Sequence, residues 1–197
     1  MNIEESPKNL KLNQGARLIR EWITVLVVAL VIAVTVRSLV LQQFYISGPS
    51  MEATMFQDNR VLVNKLSYRL HDIHRGDVVV FDRITVDGEL VQHDDLIKRV
   101  IALPGEKISI TDCKVSINGK LLNEPYLNDY DLAQPLLEDR CRVPTMEETL
   151  IPNGQLFVMG DNRPQSFDSR MFGSIEQNLV VGRAFVIIWP LGEAKFL

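Results

Sequence analysis

From Trp22 to Val36 the chain reads Trp-Ile-Thr-Val-Leu-Val-Val-Ala-Leu-Val-Ile-Ala-Val-Thr-Val, with neither a charge nor a helix breaker. After Arg37 the apolar character resumes through Leu41. About twenty helical residues span roughly 30 Å, the thickness of a bilayer's hydrocarbon core. The pattern therefore predicts one transmembrane helix over 22–41, with the stem of Arg37 carrying its guanidinium out to the headgroups. So long and uniform a run is unlike the core helix of a small soluble domain. Val34-Thr35-Val36-Arg37-Ser38-Leu39 has no pair of small residues spaced for removal of a leader, so the helix reads as an uncleaved anchor. Lys8, Lys11, Arg17 and Arg20 precede it, whereas Arg37 stands almost alone until Arg60. Cationic flanks stay inside, so 1–21 reads as a cytoplasmic segment and 42–197 as an extracytoplasmic domain of a single-pass cell-membrane protein.

Past Leu41 the apolar stretches become short, branched and aromatic. Phe44-Tyr45-Ile46, Arg60 to Val63, Asp77 to Phe81, Lys114 to Ile117, Gln155 to Met159 and Ala184 to Trp189 are bounded by turn residues and predict strands. Asp87-Gly88 and Asn118-Gly119 predict two-residue hairpin loops, because both central residues of a type I′ turn need positive φ. From about 126 to 153 this rhythm lapses into acidic residues, prolines and Cys141, which predicts a surface insertion or lobe. The fold class is mainly β, a sheet or barrel domain behind one N-terminal helix, with no internal repeat.

One segment conflicts with its own composition. Leu96-Ile97-Lys98-Arg99-Val100-Ile101-Ala102-Leu103 is a strand that wants cover on both faces yet carries a lysine. Burial disfavours the ammonium, and an amine brought down from about 10.4 towards neutrality can serve as a general base. Its partner is sought at Ser50, in Ser47-Gly48-Pro49-Ser50-Met51-Glu52-Ala53-Thr54-Met55, where Gly-Pro makes a tight bend. A serine after Gly-Pro is more often an ordinary turn residue. Together with a buried lysine and a membrane anchor it fits the Ser-Lys form of acyl-transfer chemistry, in which the amine takes the hydroxyl proton as oxygen attacks a carbonyl. That chemistry needs no cofactor and no metal.

Charge and composition narrow the partners. The net charge of −4, without a basic stripe, argues against nucleic acid. The two cysteines, Cys113 and Cys141, match no zinc spacing and fit a disulfide or two free thiols equally. His74 with Asp77 as part of a hydrolase triad, and His71-x-x-His74 as half of a metal site, are poorer readings than solvated loop residues, since only the remote His93-Asp94-Asp95 could complete the ligands.

The chain also resembles the bacterial type I signal peptidases over nearly its whole length. The anchor, Gly48-Pro49-Ser50-Met51-Glu52-Ala53-Thr54, Gly76 to Phe81, Ile97 to Gly105, and Gly160-Asp161-Asn162-Arg163 with Ser166, Asp168, Ser169 and Arg170 occur in that family's order. The resemblance implies the family's β-barrel or sheet catalytic domain and the removal of signal peptides from exported preproteins. It implies Ser50 as nucleophile, Lys98 as general base, Ser166 as the hydroxyl that orients the lysine, and Asp161, Asp168 and Arg170 as structural support. Three places depart from the pattern. Gly48 stands where many relatives carry an oxyanion-binding hydroxyl, and Pro49 has no N–H, which leaves the Ser50 backbone N–H as one donor and the second unassigned. Ala53 replaces a usual proline, and Pro164-Gln165 with Phe167 replace smaller or more polar residues.

Ser50 follows Leu41 by nine residues, which at about 3.3 Å each keeps the site within roughly 30 Å of the outer leaflet. That suits a substrate whose upstream half is still embedded in the bilayer. Such a peptide would add a strand beside the site and place small side chains at alternate positions in shallow pockets. The resemblance implies alanine-like residues at the first and third places before the bond. Met51, Met55 and Phe56 read either as core or as a rim dipping into lipid. The expected partners are preproteins and the lipid bilayer, with the chain acting as a monomer. Two other readings stay open: a self-cleaving Ser-Lys protease, which would carry a DNA-binding domain where this chain has its span, and a membrane-tethered binding module without catalysis.

Overall fold

Alternating apolar positions become two antiparallel sheets in a computed structural model that describes residues 7–87, 90–127, 136 and 140–197. The chain divides into two units, 1–41 and 42–197.

Among the described residues the first unit consists almost wholly of one helix, α1 (Pro7–Leu39). Its stretch Arg17–Arg37 is long and apolar enough to cross a membrane. From Leu18 to Val36 its large apolar side chains are exposed, Trp22 at 74%. Thr24 and Thr35 donate their hydroxyls to the carbonyls of Arg20 and Val31, at 2.9 and 2.8 Å. The polar side chains within the apolar run are thus satisfied inside the helix, as a hydrocarbon environment requires.

The second unit is built on an eight-stranded sheet. In chain order its strands are β1 (Leu41–Tyr45), β2 (Arg60–Asn64), β3 (Val78–Asp87), β4 (Leu90–Ala102), β9 (Gln155–Met159), β10 (Ile175–Glu176), β11 (Val180–Trp189) and β12 (Lys195–Phe196). They lie in the order β1-β2-β11-β3-β4-β9-β10, with β12 on β11. The smaller sheet runs β7 (Lys120–Leu121), β6 (Lys114–Ile117), β5 (Lys107–Thr111), β8 (Met146–Leu150). Leu41, expected in the anchor, opens β1, because α1 ends at Leu39.

Strand alternation explains the uninterrupted valines of β3. Val78 and Val80 join Met51, Met55, Val61, Val63 and Ile187 in one core cluster, while Val79 and Phe81 join Val100, Leu156 and Val158 in another. A third cluster joins Ile101, Phe157 and Met159 of the large sheet to Ile108, Ile110, Val115 and Ile151 beside the small one.

The hairpins follow their turn chemistry. Asn118 and Gly119, with φ of 50° and 74°, join Ile117 to its partner Lys120. Asp112 and Cys113 do the same between Thr111 and Lys114, with φ of 50° and 65°; neither is glycine, and the sequence signal was weak. Strands β3 and β4 pair out to Asp87 and Leu90, so Asp87 belongs to the strand; Gly88 lies outside the described residues.

The segment 126–153, expected as a surface lobe, contributes more than that. Cys141 is buried and bonded to Cys113, β8 pairs with β5, and Ile151 is in the core. Met146-Glu147-Glu148-Thr149-Leu150 offers no apolar alternation because it is an edge strand with mostly exposed side chains. Residues 128–135 and 137–139 of that segment lie outside the described ones.

Candidate active site

After β1 the chain turns through Gly48 into a single 3₁₀ turn, Pro49–Met51, with Ser50 at its centre. Proline opens the turn with its φ already set. Met51 and Met55 anchor it from beneath: both are fully buried in the core rather than on a lipid-facing rim, whereas Phe56 is 48% exposed. Thr54 and Met55 donate their N–H groups to the Met51 carbonyl. The N–H of Ser50 has no acceptor among the described residues. Gly48 is extended, and a β-carbon there would meet nothing within 4 Å.

Lys98 lies in β4 opposite Val79 and is 3% exposed. Its Nζ is 2.7 Å from Ser50 Oγ and donates to the carbonyl of Ile97 at 2.9 Å. Burial brings the amine down to about 8 from its ordinary 10.5, against the pull of the Asp168 and Asp161 carboxylates towards the charged form. The hydroxyl and the amine that sequence reasoning singled out, 48 positions apart, are hydrogen-bonded partners.

Ser166 is also brought here but makes no hydrogen bond to the lysine. Its hydroxyl is fully buried, forms no well-aligned hydrogen bond, and faces the Asp168 carboxylate, which it helps keep ionised. Nζ bonds to Ser50 Oγ and the Ile97 carbonyl, and the Lys98–Ser166 hydrogen bond that the resemblance implies is not formed in this structure.

Two buried ion pairs flank these groups. Asp168 caps the short helix α2 (Ser169–Phe172) and accepts from the Arg170 guanidinium at 2.8 and 2.7 Å and from the Gly160 N–H at 3.0 Å. Burial alone would push its carboxyl up, but Arg170 outweighs that and holds it below the usual carboxylate range. Asp161 accepts from Arg99 Nε at 2.9 Å and Nη2 at 2.7 Å and from the hydroxyl of Thr54. Arg99 also donates to the Gly76 carbonyl at 2.8 Å and lies 4.1 Å from the centre of the Tyr126 ring. Sequence reasoning gave no role to Arg99, Thr54 or Tyr126. The only signal was that Arg99 follows Lys98 in a strand and so serves the opposite face.

The histidines lie elsewhere. His71 and His74 are exposed, Asp77 accepts from the backbone N–H of His74, and exposed His93 pairs with Asp82 at 2.7 Å.

Beside Ser50 is a cleft of about 130 Å³ lined by Phe44, Ile46, Leu96, Ile97 and Lys98 among others. Pairing of β4 with β9 begins only at Arg99, so among the described residues the edge of Asp95–Ile97 away from β3 is open. A hydroxyl in contact with a buried amine at the end of an open strand edge can attack a carbonyl presented in an extended chain.

Residues 19–189 match the family model described as signal peptidase, peptidase S26. The chain belongs to the signal peptidase family. It is 38% identical to signal peptidase I of Bacillus caldolyticus over 86% of this chain and 91% of that one. It is 35% identical to a probable signal peptidase I-2 of Synechocystis sp., over 98% of this chain and 80% of the relative. With signal peptidase IB of Staphylococcus aureus (strain MRSA252) the identity is 35%, covering 89% and 92%. A crystal structure of a signal peptidase I from Enterococcus faecalis V583 matches with a TM-score of 0.44 and 30% identity, over 57% of this chain and 97% of that one. Membership makes the chain a hydrolase of the signal peptidase class, built on a mainly β domain that follows an apolar N-terminal helix.

Proposed function

We propose that this family member is a membrane-anchored serine endopeptidase that removes signal peptides from exported preproteins after small residues, with Ser50 as nucleophile and Lys98 as general base. The contact of 2.7 Å between Ser50 Oγ and a buried Lys98 amine carries this reading. In the neutral form, Lys98 accepts the Ser50 proton as Oγ bonds to the scissile carbonyl carbon. The resulting ammonium returns that proton to the departing amine, leaving an acyl-enzyme for water to hydrolyse. The Ser50 N–H, which has no acceptor among the described residues, is one donor for the oxyanion. Gly48 supplies no hydroxyl, and the second donor is left unassigned. Asp161, Asp168 and Arg170 act as supports, through the buried pairs they form.

The substrate segment adds as a strand along the open edge of Asp95–Ile97. A cleft of about 130 Å³ favours small side chains beside the bond that is cut. The helix supports the anchoring: it is apolar on all faces and exposed, the condition of a span rather than of a surface helix. The cationic N-terminal flank supports a cytoplasmic N-terminus and an outer catalytic domain.

The test is cleavage of a labelled preprotein by the detergent-solubilised full chain, with the new N-terminus read by mass spectrometry. Cleavage after a small residue, abolished by Ser50→Ala and by Lys98→Ala, is the expected result. Full activity in either variant removes that residue from its role.

A further inference from the structure

The nucleophile sits in a helical turn of only three residues, Pro49–Met51, too short to hold its own shape through an internal ladder. Its carbonyls are satisfied locally with one exception. Pro49 accepts from Glu52, and Met51 accepts from Thr54 and Met55, but the Ser50 carbonyl accepts from the backbone N–H of Asn162, across the site, at 3.1 Å. The same asparagine reaches the turn a second time, donating Nδ2 to Glu52 Oε2 at 3.3 Å. Its remaining side-chain atom, Oδ1, accepts from the N–H of Gln165, also at 3.3 Å. Asn162 is 5% exposed, and all three of these groups are engaged.

We infer that Asn162 is a positioning residue for the Ser50–Lys98 pair, holding the nucleophile turn to the loop that carries Ser166 through its side-chain bond to Glu52. The inference rests on the Ser-Lys reading above. A buried primary amide suits the task because it donates to a carboxylate on one side while accepting from a backbone N–H on the other. A carboxylate there keeps the acceptor for Gln165 but opposes the carboxylate of Glu52, so it breaks only the side-chain link to the turn and leaves the backbone bond to the Ser50 carbonyl in place. Reaction rates depend steeply on attack geometry, and a displacement of about 1 Å costs on the order of 10²-fold.

The test is a reciprocal exchange in the full-length enzyme, measured with a peptide spanning the cleavage site. Asn162→Asp is expected to lower kcat roughly 10- to 100-fold with KM within about twofold of the parent, because the nucleophile moves while the substrate edge on β4 does not. Adding Glu52→Gln to that variant restores a donor facing an acceptor with the polarity reversed, and recovers at least about tenfold of the loss. A residue that mattered only for stability would lower the melting temperature without this mutual rescue. Wild-type kcat in Asn162→Asp, or a double variant no better than the single one, overturns the inference. Should Asn162→Asp not fold, Glu52→Ala, at a partly exposed position, cuts the same link, and an unchanged kcat there overturns it equally. Ser50→Ala runs in the same assay: activity in that variant sinks the nucleophile assignment itself, an outcome distinct from a failed rescue.

Discussion

The carbonyl oxygen of Ser50 fills the space that a side chain on Gly160 would need. A β-carbon built on Gly160 comes within 2.2 Å of that oxygen, 2.3 Å of Ser166 Oγ and 2.6 Å of Ser166 Cβ. Glycine is required here by the close approach of the Ser50 backbone and the Ser166 side chain, and not by φ. Gly160→Ala should therefore push the nucleophile turn away from Lys98 and lower kcat by about 10²-fold, measured as initial cleavage rates on a preprotein at saturating concentration. Wild-type rates would mean that the turn and the end of β9 separate freely.

Activity should follow the neutral fraction of Lys98. Burial brings its amine down to about 8, so the base is mostly charged at neutral pH and mostly free above 8. Below that midpoint kcat/KM should rise about tenfold per pH unit and then level off. Lys98→Arg should be inactive across the whole range, since a guanidinium does not release its proton in a protein. A profile already flat between pH 6 and 8 would point to another base.

Stability should depend strongly on Asp161. Arg99 and Asp161 are 9% and 0% exposed at their side chains and form a two-point pair. Asp161→Asn leaves the guanidinium buried without its counter-charge, which costs about 3–5 kcal/mol. Urea unfolding followed by circular dichroism reads this as a lowered midpoint with an unchanged slope. Because Thr54 shares the Asp161 carboxylate, the variant should also lose activity at temperatures where it stays folded.

Reduction should loosen the second sheet. The Cys113–Cys141 bond closes a loop between residues 28 apart and ties the β5–β6 turn to the segment leading into β8. Breaking it is expected to cost about 2–4 kcal/mol, seen as a lower melting temperature in reductant, with no such change in a Cys113→Ser/Cys141→Ser variant.

Much of the fold was legible because alternation and turn chemistry are local. The strand segments at 60–63, 77–81, 114–117, 155–159 and 184–189 fall on β2, β3, β6, β9 and β11, and Asn118-Gly119 makes its turn. The edge strands β8, β10 and β12 were not legible, since exposed or two-residue strands carry no apolar period. Met51 and Met55 were ambiguous for a related reason: an apolar side chain beside a membrane serves a core or a lipid surface equally well until its neighbours are known.

The sequence by itself determined the apolar helix, the mainly β character, and an amine in a run too apolar to keep it charged, because each depends on residues close together in the chain. Only tertiary structure decided that this amine meets Ser50, that Arg99 serves Asp161 on the opposite face, that Ser166 lies close to Asp168 without a hydrogen bond to Lys98, and that the two cysteines join. Those outcomes depend on strand register and on which edges pair, and a register is set by the whole sheet closing over its core, a cooperative property that no single segment encodes.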